Sequence, residues 1–161
     1  MRSSVLGALI AAAGDAPPGE GWPVVVPEGG LAASVPHDIP LPARLTKDDV
    51  DFYTAEFERT GYRGGLNWYR TIDLSYELMA PWAGATITPP ALFIAGERDV
   101  VVEFPGLRDL LPALPVFIPN LRTTIMLPGC GHWTQQERAA AVNAAMIEFL
   151  QSLLEPALAA V

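Results

Sequence analysis

Pro90-Ala91-Leu92-Phe93-Ile94-Ala95-Gly96-Glu97-Arg98-Asp99 and Thr123-Thr124-Ile125-Met126-Leu127-Pro128-Gly129-Cys130-Gly131-His132-Trp133 are the two stretches that decide the fold. Each is a short, continuous apolar run bounded by Gly or Pro. Such runs suit strands buried on both faces, as in a parallel sheet. The chain between them, from Phe104 to Leu114 and broken by Pro112 and Pro115, is long enough for a crossover. A strand–helix–strand unit is therefore expected. In sheets of this kind ligands bind beyond the carboxyl ends of the strands. Asp99 and His132 each lie just past such an end.

The chain has 161 residues, half of them hydrophobic, enough for one domain with a real core. Ten basic residues against eighteen acidic ones give a net charge of −8. That balance argues against nucleic acid or an anionic membrane as partner. One cysteine excludes an internal disulfide, and two histidines give no convincing metal cluster. No metal or other cofactor is expected, and a reducing cytoplasm is compatible. Arg2 followed by the apolar run Val5–Ala13 mimics a short signal peptide. The run is too short to span a bilayer, and a packed helix ended by a left-handed cap at Gly14 is the preferred reading.

Between Pro17 and Pro42 there are seven prolines, which exclude helix and central strand. Trp22 and Val24–Val26 give this stretch apolar anchors, so it is expected to lie over a surface. Thr46 then opens a helix, with Asp49 completing an acid analogue of the capping box. Val50, Tyr53 and Phe57 share one helical face, and Gly61 provides the stop. The acids Asp48, Asp49, Asp51, Glu56 and Glu58 read as a solvated face. A second short helix after Gly64-Gly65 carries Leu66, Trp68, Tyr69 and Ile72. In the last helix Val142, Met146, Phe149 or Leu150, and Leu153 form the apolar face, with Glu137, Arg138, Glu148 and Gln151 elsewhere.

His132, flanked by Gly131 and Trp133, suits a general base through its near-neutral pKa. Glycine beside it is expected to let the backbone turn tightly. Asp99 would hold the imidazole tautomer and stabilise the imidazolium. The competing reading is an aspartate that caps its own turn, and Glu97 and Glu103 are rival carboxylates. Cys130 lies two residues from His132, too near along a tight loop to pair with it, and reads as a small packed residue. Tyr69, from spacing alone, is an amphipathic core residue. An acid and a histidine at one rim are two members of a hydrolytic triad, and no nucleophile accompanies them.

Phe57-Glu58-Arg59-Thr60-Gly61-Tyr62-Arg63-Gly64-Gly65-Leu66-Asn67-Trp68-Tyr69-Arg70, Glu77-Leu78-Met79-Ala80-Pro81-Trp82, the segment ending at Asp99, and Gly129-Cys130-Gly131-His132-Trp133-Thr134-Gln135-Gln136-Glu137 together resemble the C-terminal half of a soluble epoxide hydrolase of the α/β-hydrolase fold. The resemblance implies a partial α/β fold. It divides into a helical lid (cap) segment over 1–85 and, over 86–161, the last two parallel strands and the C-terminal helix of the core. In that family an aspartate on a strand–turn–helix elbow attacks an epoxide carbon, and lid tyrosines hold the epoxide oxygen. A histidine–acid pair then activates the water that hydrolyses the resulting ester to a vicinal diol. By this resemblance His132 is the water-activating base, Asp99 its orienting acid and Tyr69 a lid tyrosine. The elbow pattern does not occur in these 161 residues, and Tyr53, Tyr62 and Tyr76 do not match the partner lid tyrosine. The chain is thus expected to be a fragment, inactive alone. Its expected partners are a small hydrophobic epoxide and either the nucleophile-bearing half or further copies of itself. The alternatives are another α/β-hydrolase, such as a dehalogenase, or a non-catalytic ligand-binding remnant.

Overall fold

The computed structural model describes residues 1–16, 41–42 and 44–158, with side chains to residue 154. The proline-rich stretch lies outside the described residues except for Leu41 and Pro42. Two compact units are formed, one from Met1–Ala8 and Val24–Thr86, the other from Leu9–Pro23 and Ile87–Val161. Among the described residues no helix is long and apolar enough to cross a membrane.

In the first unit, α2 (Lys47–Thr60) starts as its sequence dictates. The Thr46 hydroxyl accepts from the Asp49 N–H at 3.1 Å, and the Asp49 carboxylate accepts from the Thr46 N–H at 2.8 Å. These reciprocal bonds satisfy two amides that the first turn leaves without partners. Gly61, at φ 68°, ends the helix with its N–H on the Phe57 carbonyl. Val50 and Thr54 are buried, and Phe57 stacks on Tyr62 with ring centroids 4.7 Å apart. Replacing Thr46 by alanine is expected to cost about 1 kcal/mol, read from urea unfolding. The hydrogen bonds from Thr46 hold the Asp49 carboxyl below the usual carboxylate range. A lowered native pKa means that the Asp49 side of the cap stabilises above the ordinary carboxylate value and is lost as pH falls through the lowered one, a minor effect at this exposed position.

After Gly61 come α3 (Arg63–Arg70), α4 (Ile72–Leu78) and a 3₁₀ turn at Ala80–Trp82. Leu66, Trp68, Tyr69, Ile72 and Trp82 are all exposed. The amphipathic pattern of α3 predicted a core face including Tyr69, and this is corrected: no described residue of the unit covers it.

The second unit contains the sheet. Strands β1 (Ala91–Gly96) and β2 (Leu121–Leu127) pair in parallel, with Ile94 opposite Ile125 and Gly96 opposite Leu127. The crossover contains α5 (Leu107–Leu110), a 3₁₀ turn (Leu111–Ala113) and α6 (Leu114–Phe117). Pro112 and Pro115 open these short elements rather than break them, because proline is tolerated in a first turn where its missing N–H is not needed. α7 (Thr134–Glu137) and α8 (Ala139–Leu158) complete the unit. Leu127, Cys130 and Val142 form its buried cluster, with Ile94 and Ile125 packed against it.

Three expectations change here. The strands are not buried on both faces: Arg122, Thr123 and Thr124 are exposed, since among the described residues the sheet has two strands only. On α8, Val142 is buried and Phe149 and Leu153 are half-buried, whereas Met146 and Leu150 are exposed. Gly14 is not a left-handed cap. α1 (Arg2–Ala11) ends before it, and positive φ occurs instead at Gly61, Gly84, Gly106 and Gly129.

Candidate active site

Beyond the carboxyl ends of β1 and β2, three backbone segments of the second unit are packed directly on one another. Glu97 donates its N–H to the Leu127 carbonyl at 3.1 Å, and Arg98 donates its N–H to the Cys130 carbonyl at 2.9 Å. His132 donates its N–H to the Ala12 carbonyl at 2.8 Å. A Cβ on Gly96 would stand 2.3 Å from the carbonyl oxygens of Cys130 and Gly131. A Cβ on Gly131 would stand 2.3 Å from the Gly14 nitrogen. The sequence predicts Gly131 as a tight-turn residue. The structure gives the turn to Gly129, at φ 60°, and shows Gly131 to be required for close approach.

This packing brings Asp99 and His132 together. The His132 Nδ1 is 3.0 Å from Asp99 Oδ1 and 3.2 Å from Oδ2. Asp99 is buried at 8% exposure, while the His132 side chain keeps 40% of its surface. Asp99 faces the imidazole and its own turn together. Its Oδ1 also accepts from the Val101 N–H at 2.9 Å, an Asx turn that fixes the carboxylate while it faces the imidazole. An ionised carboxylate only accepts, so the shared proton belongs to Nδ1 and Nε2 carries the free lone pair. In that tautomer the nitrogen turned away from Asp99 is the one able to accept a proton. Trp133 meets the imidazole edge-on, with ring centroids 5.0 Å apart.

The other candidate residues lie in different surroundings. Glu97 is exposed, and Glu103 is paired with Arg108 on the surface. Cys130 is fully buried, and burial, followed by the nearby Glu137 carboxylate, pushes its thiol pKa up. A thiol held protonated is a poor nucleophile. No third His, Cys, Asp or Glu joins Asp99 and His132 as a possible metal ligand among the described residues. Tyr69 lies on α3 of the first unit, 71% exposed.

No family model matches the chain. Epoxide hydrolase 1 of Siraitia grosvenorii is 36% identical over 131 residues, which are 80% of this chain and 41% of that protein. Epoxide hydrolase A of Mycobacterium tuberculosis is 41% identical over 124 residues, covering 77% of this chain and 37% of that protein. Among solved structures, an epoxide hydrolase from an endophytic Streptomyces superposes with a TM-score of 0.87 at 41% identity. That match covers 96% of this chain and 46% of the other. Potato (Solanum tuberosum) epoxide hydrolase I superposes at 0.80 with 29% identity, over 94% and 46% of the two chains. The chain is a homologue of the epoxide hydrolases. It corresponds to the C-terminal half of their α/β-hydrolase fold and spans less than half the length of the relatives named.

One residue of this epoxide-hydrolase homologue departs from its sequence pattern. Helical spacing predicts Glu137 on an outer face of the last helix. It instead ends α7, and its carboxylate turns back to accept backbone N–H bonds on both sides of His132. The signal available was a glutamate a few residues after a Gly-rich loop, in reach of the amides that loop leaves unpaired.

Proposed function

We propose that this homologue supplies the water-activating part of an epoxide hydrolase. His132 acts as the general base, Asp99 orients it, and Tyr69 is a lid donor to the epoxide oxygen. The observation that carries this reading is the 3.0 Å contact between His132 Nδ1 and a buried, turn-locked Asp99. It leaves Nε2 free to take a proton from water. Ring strain drives epoxide opening, but the departing alkoxide needs a hydrogen-bond donor, which a phenol supplies while remaining neutral. Attack by a carboxylate divides a difficult hydrolysis into two easier steps. That carboxylate comes from a nucleophile-bearing half, because no elbow pattern exists in the 161 residues.

On this reading the first unit is part of a lid and the second part of an α/β core, acting in the cytoplasm on a small hydrophobic epoxide, with no nucleic acid, membrane or cofactor involved. The two-stranded sheet leaves outer strand edges unpaired among the described residues, and unpaired edges favour association. The chain alone is therefore expected to be oligomeric or sparingly soluble until joined by its other half.

Two measurements test the proposal. Incubated alone with styrene oxide, the chain should show no added mass and form no diol. Completed by the nucleophile-bearing half of the Streptomyces relative, it should release the diol and leave a haloalkane intact. Halide release without diol formation points to a dehalogenase. Retention of an unreacted epoxide analogue, unchanged by Tyr69→Phe, points to a binding remnant.

A further inference from the structure

Three consecutive amides around the imidazole are anchored, and two of them end on one side chain. Glu137 Oε2 accepts from the Gly131 N–H at 2.9 Å and from the Gly14 N–H at 3.0 Å, while Oε1 accepts from the Trp133 N–H at 3.2 Å. The middle amide, His132, is held by the Ala12 carbonyl at 2.8 Å. We infer that Glu137 is a positioning residue for His132: its carboxylate clamps the peptide groups on either side of the histidine to the Ala12–Gly14 turn and so fixes the direction in which the imidazole meets Asp99.

The chemistry favours a carboxylate in this place. Hydrogen bonds from backbone N–H to an ionised acceptor are roughly twice as strong as neutral ones. Three donors converge here, and only two oxygens with several lone pairs can accept them all. The glycines matter to the same clamp. Gly131 and Gly14 approach so closely that a Cβ on either would meet backbone within 2.3 Å, so a single carboxylate oxygen can reach both amides. Arg98 adds a brace from the Asp99 loop, its guanidinium donating to the Ala16 carbonyl at 3.3 Å. Both members of the His132–Asp99 pair are thereby tied to the residues that follow α1. The His132 side chain is 40% exposed, so the backbone that carries it is one of the restraints on its direction, beside Asp99 and Trp133.

The functional weight of this role rests on His132 being the base, but the experiment reads the ring without substrate. The chain contains two histidines, so His37→Gln in nitrogen-15-labelled chain, joined to an unlabelled nucleophile-bearing half, leaves His132 as the one labelled imidazole. At a pH where the ring is neutral, the wild-type clamp should give the Nδ1–H tautomer demanded by Asp99. Glu137→Ala should lose that signature and show the averaged shifts of a ring exchanging between tautomers. Glu137→Gln keeps the shape but sets an amide NH₂ against at least one N–H donor, so it should fall between. Glu137→Asp, one methylene short, cannot bridge Gly14 and Trp133 together and should not rescue. Val142→Ala serves as a control, since it empties part of the same core cluster without touching the clamp, and should leave the tautomer unchanged. If Glu137→Gln and Glu137→Ala both keep the wild-type tautomer, the inference is overturned. The same holds if Val142→Ala disturbs the ring as much as they do, for then Glu137 contributes stability alone. Epoxide turnover by the completed protein fails or succeeds separately and judges the hydrolase reading, not the clamp.

Discussion

In the proposed epoxide hydrolase assembled from this chain and a nucleophile-bearing half, His132→Asn is expected to slow ester hydrolysis by about 10²- to 10⁴-fold, the range that a positioned general base contributes. Ester formation should continue. Asparagine fills much the same space but cannot take a proton from water, whereas attack on the epoxide requires no proton at this position. Intact mass spectrometry would then show protein that gains one epoxide mass and retains it. Asp99→Asn offers a graded comparison. Its carbonyl oxygen can still accept from the Val101 N–H and from Nδ1, at the 2.9 Å and 3.0 Å separations seen for the carboxylate. A neutral amide does not stabilise the imidazolium, so the same step should slow, but less than in His132→Asn. Equal rates of ester hydrolysis in wild type and His132→Asn would remove the histidine from the mechanism.

Among stability effects, the largest are expected at the interlocked glycines. Gly96→Ala and Gly131→Ala each place a methyl group 2.3 Å from backbone atoms of another segment. Backbone cannot swing aside as a flexible side chain does, so the loops must part. Overpacking usually costs 1–3 kcal/mol and occasionally more, and with backbone on both sides of the clash about 3 kcal/mol or more is expected. Gly64 and Gly65 on α3 provide the contrast, with nothing within 4 Å of a Cβ at either. Alanine there should stabilise by about 0.5–1 kcal/mol, because glycine is a poor helix former. Urea unfolding monitored by circular dichroism compares the two pairs directly. A mild effect at Gly96 and Gly131 would mean that the three segments do not approach one another as described.

The parts of the molecule legible in the sequence are those set by neighbours along the chain. The two strands follow from apolar runs with Gly and Pro at their borders, and the capping box follows from Thr46 and Asp49 three residues apart. Gly61 as a helix stop belongs with them. The Asp99–His132 contact follows from a rule of the same kind: residues just past parallel strands share a rim. The errors concern choices that local pattern leaves open. Met146 and Leu150 have helical spacing as good as that of Phe149, yet both are exposed while Val142 is buried, because the position of the sheet decides which stripe of α8 faces inward. Tyr69 sits on an amphipathic helix whose apolar side the described residues leave uncovered.

The amino-acid order by itself therefore determined a parallel strand pair, the helix that begins at Thr46, and an acid and an imidazole delivered to one edge. Only the tertiary structure decided that Gly14, Gly96 and Gly131 exist to let three backbones touch, and that Glu137 points inward to hold the loop around His132. The physical reason is range. Helix caps and strand patterns depend on groups a few residues apart, whereas Glu137 meets Gly14 across 123 positions of chain. No periodicity in the sequence records that meeting.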